Sequence, residues 1–406
     1  MHFLKRTHTF IPHLASKLLL AGLLILSFDY SLAAVRCSAL FTPLFGTLRP
    51  DFKHNRNYTK ELPQGAIKNQ CSLGTCHLHS WVSQLESTHK QRTGQNISLS
   101  THYLSMLHWH DSVIRTLEAD NNAVRTELGA SVYGSRRIML QLGLVPDAAW
   151  TFSRSFHEGP FATRMSEYLQ NIVARAKARN ATEINPEKKR QTIESAKAEI
   201  KRTFEEYIGG GFNMEFTYRN KKYTPRSFQQ EFFPELSNPI VHVFVNANRR
   251  VKTEVDSNEF FTLVDTNINT VERLAKDLID NGQNVYVAYD HNGNFVSGKT
   301  GIMSISAFNM PQDGRPLSRT QRDQLSIRDG GHAVQIVGYE IDPTTGRVIK
   351  WKVQNSWGRE AGDNGFYHMY ADYFRSFVSS ITFYRNDKIQ LPENEVHRTE
   401  QLELDF

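Results

Sequence analysis

The chain is predicted to be an α+β protein of two lobes that share a cleft. Three observations predict it. Apolar residues recur at helical spacing through the first half. Short β-branched runs bounded by turn residues dominate the last third. Between them lies a stretch rich in Ala, Glu, Lys and Arg.

The elements follow in order. Residues 1–34 read as a secretory signal: Lys5, Arg6 and Lys17 come before or at the edge of an apolar run from Leu18 to Phe28, and the small residues Ser31, Ala33 and Ala34 follow. That charged, apolar, small-residue order marks an export segment, with cleavage expected after Ala33 or Ala34. The apolar run is about half the ~20 residues needed to span a bilayer, so no stable membrane insertion is expected. Residues 35–62 read as a polar, loop-like lead broken by Pro43 and Pro50.

Residues 63–159 carry the pattern of a helical lobe. Leu78, Trp81, Val82 and Leu85 fall on one face of a helix from Cys76 to about Arg92. Ser98 and Ser100 announce a second helix over His102–Trp109, and a third spans 131–143, stopping at Gly143 ahead of Pro146. Residues 160–238 read as a helical insert, two solvated helices broken at Asn185–Pro186, because charges of both signs alternate at helix-pair spacing.

Residues 239–390 read as the β lobe. Val241–Val245 and Val285–Tyr289 are strands, and Thr270–Asn281 is a helix that stops at Gly282. A hairpin follows: HAVQIVGYEI, the turn DPTTGR, then VIKWKVQNSW, with one more strand in GFYHMY. Residues 391–406 form a tail that is acidic at its end.

Composition narrows the function. With 406 residues, 39% of them apolar, the chain can bury a sizeable core. The net charge of +6 is mild, and no compact Lys/Arg block is interleaved with aromatics, so nucleic acid is not an expected partner. Three cysteines, Cys37, Cys71 and Cys76, make at most one internal bridge and exclude a disulfide framework. An exported chain therefore keeps one thiol that needs explaining.

Cys76 follows Gly74–Thr75 where a helix should begin. A thiolate there gains from the helix's partial positive end, and a lowered thiol pKa is expected. The Gln70 amide, six residues earlier, can reach back across the turn. With the Cys76 N–H it would supply two donors to the oxyanion of a tetrahedral intermediate. His332 follows Gly330 and Gly331 and opens an alternating strand. Gly331 leaves room for a close approach, and the imidazole can take the Cys76 proton and return it to a leaving amine. Asn355 ends the partner strand, where its oxygen can fix the imidazole tautomer, and Trp357 can keep water from that bond. His108 and His110, with Asp111, have the wrong spacing for one helical face and no second cluster, so neither a metal nor a cofactor is expected.

Gln70, Cys76, the Gly–His strand and Asn-Ser-Trp-Gly together resemble the papain-type cysteine peptidases. The long Cys-to-His interval and long hairpin are more similar to the bleomycin hydrolase and aminopeptidase C branch. So are ISLSTHYLSMLHW, GLVPDAAW, YTPRSFQQEFF and RVIKWKVQNSWG, and the resemblance runs from roughly 60 to 385. It implies a papain-like two-lobed fold, with Cys76 as nucleophile, His332 as base, Asn355 as its orienter, Gln70 in the oxyanion hole and Trp357 as a shield. The implied reaction is peptide-bond hydrolysis through a thioester acyl-enzyme on peptide or protein substrates. In that branch the chain's own C-terminus occupies the cleft of a hexamer and enforces aminopeptidase action, so an oligomer and N-terminal trimming are open expectations here.

Several positions depart from the pattern. His77 stands where the family usually has Trp, and Leu73 where papains carry a bridging Cys. Cys71 is unmatched and either pairs with Cys37 or is buried. The branch is typically cytosolic, whereas this chain carries an export signal and is expected to be secreted or periplasmic. The lead before Gln70 is too short for a papain-type inhibitory propeptide, so no zymogen is expected. Two other readings stay open: a cleft that binds peptides without turnover, which His77 keeps alive, and acyl transfer to an amine by the same triad.

Overall fold

The computed structural model describes residues 47–392, except 72, 125, 127, 130, 151–158, 209–213, 248–251, 257–258, 311–315, 326 and 328–329. The export signal, Cys37 and nearly all of the acidic tail lie outside the described residues, which all fall in one compact unit. Among the described residues no helix is long and apolar enough to cross a membrane.

The lead is less loop-like than expected. It contains β1 (Thr47–Leu48) and β2 (Lys60–Glu61), and β2 pairs with the main sheet at Gly338 and Tyr339. Gly338 makes that approach possible, since a Cβ there would sit 2.5 Å from the Lys60 carbonyl oxygen. The helices α1 (Cys76–Thr93), α2 (Thr101–Glu118) and α3 (Val132–Leu142) follow. Ser100 and Ser131 cap the last two by accepting from Tyr103 and Gly134 N–H groups. α2 runs well past Trp109 because Val113 and Leu117 continue its buried stripe.

The helix pair is α4 (Gly159–Thr182) and α5 (Pro186–Ile208), with Pro186 at the helix start, where its missing N–H costs nothing. The pair is not merely solvated. Leu169, Ile172, Val173, Ile200 and Phe204 bury one face in the same core as the first three helices, while pairs such as Arg175–Glu199 line the outside. Nor is the insert helical throughout. β3 (Phe216–Tyr218) and β4 (Lys221–Tyr223) form a hairpin ahead of α6 (Pro225–Phe232). Its turn places Arg219 and Asn220 at positive φ, the conformation a two-residue hairpin requires.

The remaining elements are β5 (Ile240–Val245), β6 (Lys252–Asp256), β7 (Glu259–Thr266), α7 (Ile268–Asp280), β8 (Val285–Asp290), β9 (Ile302–Met303), β10 (Phe308–Asn309), α8 (Arg319–Gln324), β11 (Gly331–Ile341), β12 (Val348–Gln354), β13 (Phe366–Tyr370), α9 (Ala371–Phe377) and β14 (Val378–Tyr384). The main sheet runs β6-β7-β5-β14-β8-β11-β12-β13-β9. It is mainly antiparallel, with two parallel pairings, β5 with β7 and β13 with β9. β6 runs opposite to both, so β7 enters beside β5 in the same direction.

Two apolar cores lie on this sheet. One joins the helices to Tyr286, Ala333 and Tyr384, and the other packs α7 and α9 against Val334, Trp351 and Val353. Each fully buried Leu or Phe contributes about 1.5–3 kcal/mol, so these contacts hold the helices firmly on the strands. The contact that matters for the site is α1 against β11.

Candidate active site

Cys76 is the first residue of α1, and its thiol is free and partly exposed. Burial pushes the thiol pKa up, while backbone N–H groups of Ala333, His77 and Cys76 itself, directed at the sulfur, pull it back down. Burial is the larger effect, so the thiol lies above its ordinary value and not below it, as a helix start alone would place it. The Ala333 N–H also shows how closely the start of β11 approaches the sulfur.

His332 is the second residue of β11, and its Nε2 lies 2.9 Å from Asn355 Oδ1. The Ser356 backbone N–H donates to that same oxygen at 2.7 Å, so the atom accepts both bonds and Nε2 carries the proton. Nδ1 is then the ring nitrogen able to take a proton. Trp357 stacks on the ring at 4.5 Å between centroids, only 17° from parallel. Burial pushes His332 down to about 4, against the upward pull of Asn355. A proton moving from sulfur to imidazole creates both charges together, and each offsets the other's lost hydration.

Gly330 sits at φ +117, a conformation that side chains avoid. At Gly331 a Cβ would meet nothing within 4 Å, so the approach past this glycine is open.

Gln70 reaches the site through a short ladder. Its N–H donates to the Ser356 carbonyl at 2.8 Å, Gly358 N–H donates to the Lys68 carbonyl at 2.9 Å, and Asn69 bridges Trp357. Gln70 Oε1 accepts from Ser356 Oγ at 2.6 Å, and Nε2 donates to the Leu73 carbonyl at 2.7 Å. An amide nitrogen carries two hydrogens, so the second is available to an oxyanion. Lys68 anchors this segment from within, pairing with Glu86 at 2.9 Å and Asp147 at 3.1 Å while only 8% exposed. Replacing Gln70 by Ala is expected to lower kcat/KM about 100-fold by removing one oxyanion donor. Ser356→Ala, which only loosens Gln70, should cost less. Steady-state rates for the two variants check this order, and equal losses would contradict it.

The unusual His77 is fully integrated. Its Nδ1 bonds Ser135 Oγ and its Nε2 the Leu128 carbonyl at 2.9 Å, so the position normally filled by Trp is occupied by a hydrogen-bonded, buried ring. Asp111 is engaged by Arg115 and Arg137. Among the described residues no group of three His, Cys, Asp or Glu side chains could hold a metal ion. Cys71 is disulfide-bonded. Cys76 is free, which leaves Cys37, outside the described residues, as the chain's remaining cysteine.

Sequence reasoning missed Lys68, Ser356 as a link between Gln70 and Asn355, and Tyr289, whose buried ring lies edge-on to His332 at 5.6 Å. Of these, only Ser356 carried a signal, as part of Asn-Ser-Trp-Gly.

Comparison with known proteins agrees with this geometry. Residues 34–405 match the model of the Peptidase C1-like family. A segment of 114 residues is 29% identical to the mitochondrial cysteine proteinase 1 of Saccharomyces cerevisiae, covering 28% of this chain and 23% of that protein. The match thus spans less than a quarter of the yeast relative. Aminopeptidase G of Lactobacillus delbrueckii subsp. lactis is 23% identical over 374 residues, 81% of this chain and 83% of the relative. The crystal structure of PepW from Lactobacillus rhamnosis superposes with a TM-score of 0.66 at 16% identity, covering 82% of each chain. That likeness, with the mixed helices and sheet observed, bears out the expected α+β papain-like fold. With one family model accounting for nearly the whole sequence, the chain belongs to the Peptidase C1-like family.

Proposed function

We propose that this protein is an exported cysteine peptidase that hydrolyses peptide bonds through a thioester at Cys76, trimming substrates from their N-termini. The observation that carries the reading is the His332–Asn355 bond of 2.9 Å under the stacked Trp357, beside a sulfur reached by the Ala333 N–H. His332 Nδ1 takes the thiol proton as the sulfur attacks the scissile carbonyl. The oxyanion accepts from the Cys76 N–H and the Gln70 amide. The C–N bond breaks as the imidazolium protonates the leaving amine. Water, giving its proton to His332, then attacks the thioester and releases the acid and the free thiol.

N-terminal trimming is supported by relatives named aminopeptidase G, W and C. Export is supported by the N-terminal residue order and by a disulfide-bonded Cys71, since such bonds persist in oxidising compartments.

A peptidyl thiol-reactive electrophile, followed by a panel of free and N-blocked peptides, tests the proposal. Modification confined to Cys76 and turnover of the free peptides alone are expected. A silent thiol would make the protein a peptide binder, turnover of blocked peptides would make it an endopeptidase, and amide products with added amines would make it a transferase.

A further inference from the structure

His291 follows β8 directly, and its backbone N–H donates to the Gly330 carbonyl at 2.8 Å, two residues before His332. Its mostly buried ring meets the Trp357 indole edge-on, with centroids 5.3 Å apart. It lies 6.0 Å from the His332 ring. Its Nδ1 is 3.3 Å from the Tyr289 hydroxyl. Trp357 covers one face of His332, and Tyr289 meets the same ring edge-on. His291 touches both of these walls.

The same ring is also a titratable group close to the proton acceptor. Burial pushes His291 down to about 3, and the neighbouring His332 adds to that shift. Among the described residues, the other titratable or charged groups around it are Tyr289 on β8, Tyr373 on α9, whose hydroxyl accepts from Asn292 N–H at 3.0 Å, and the Asp290–Arg322 pair at 3.7 Å. None of the groups named here places a bare positive charge beside the imidazole.

We propose that His291 is a positioning residue for His332, bracing Trp357 and Tyr289 around it and keeping the space beside the reacting imidazole free of positive charge. This rests on the peptidase reading above, and it assigns a role to a residue outside the Cys–His–Asn set. A fixed cation at position 291 would oppose the imidazolium and favour the thiolate. Both changes move the working pH range downward, by about one pH unit for a unit charge roughly 6 Å away in partly screened surroundings.

The test compares His291→Arg, His291→Gln and His291→Ala with the wild type by two readouts. One is the pH profile of kcat/KM on a free peptide. The other is the pH profile of Cys76 alkylation by iodoacetamide, which needs no peptide turnover. Expected for His291→Arg is a shift of about one pH unit to lower pH in the basic limb of hydrolysis and in the acidic limb of alkylation. Expected for His291→Ala is a roughly 10-fold lower kcat at unchanged KM, with most of the loss recovered in His291→Gln, which keeps a hydrogen-bonding amide near Tyr289. Profiles that superimpose for wild type and His291→Arg overturn the proposal. If that variant does not fold, equal kcat for wild type, Ala and Gln variants overturns it. A wild type that hydrolyses no peptide defeats the peptidase reading instead, and alkylation alone then decides the role of His291.

Discussion

Replacing Cys76 by Ala is expected to reduce kcat/KM by about 10,000-fold or more while leaving the melting temperature almost unchanged. The size follows from the reaction: without the sulfur no thioester forms, and the oxyanion donors and binding contacts alone give only residual catalysis. The stability follows from position. Cys76 is small and partly exposed at the start of α1, so replacement by Ala leaves little cavity. The double variant Cys76→Ala/His332→Ala should be no slower than Cys76→Ala, because the two act as one unit. Single-turnover rates measure both. A Cys76→Ala enzyme that kept a tenth of its activity would sink the assignment.

Acid is expected to unfold the protein steeply. Burial pushes His77 and His79 down to about 3, and His108, His332 and His368 down to about 4. In the unfolded chain these rings titrate near 6.5. Between those limits the unfolded state binds more protons than the folded one, so stability rises with pH and is lost as pH falls below about 6.5. Each ring contributes up to about 1.4 kcal/mol per pH unit, so all five together contribute up to roughly 7 kcal/mol per pH unit. Typical domains have only about 5–15 kcal/mol in total. An unfolding midpoint near pH 5 and a melting temperature falling sharply between pH 6.5 and 5 are the expected results. Calorimetry across that range checks them, and a flat melting temperature down to pH 4.5 would show that the rings take up protons in place.

The parts of the fold legible in the sequence were those with local causes. Ser100, Ser131 and Pro186 mark helix starts through their own backbone geometry, and the β11–β12 hairpin announces itself by alternation around DPTTGR. Cys76, His332 and Asn355 stood out because each lies at the end of such an element, in a recognisable neighbourhood. What could not be read depends on distant partners. Lys68 looks like any surface lysine until Glu86 and Asp147 fold around it. The parallel pairing of β5 with β7 reflects where the sheet has room, not any pattern within EFFTLVDT. The thiol pKa depended on a contest between burial and nearby backbone N–H groups, one of which, that of Ala333, belongs to β11, far along the chain.

The hairpin that carries the base has a practical corollary. His332 and Asn355 sit at the same end of the β11–β12 ladder, whose register runs from Gln335↔Gln354 to Ile341↔Val348. Their separation is therefore set by hydrogen-bonded rungs, while residues 343–347 lie exposed at the far end. That distal loop is a natural handle, where an affinity tag, a fluorophore or a grafted epitope can be installed without disturbing the chemistry at the opposite end.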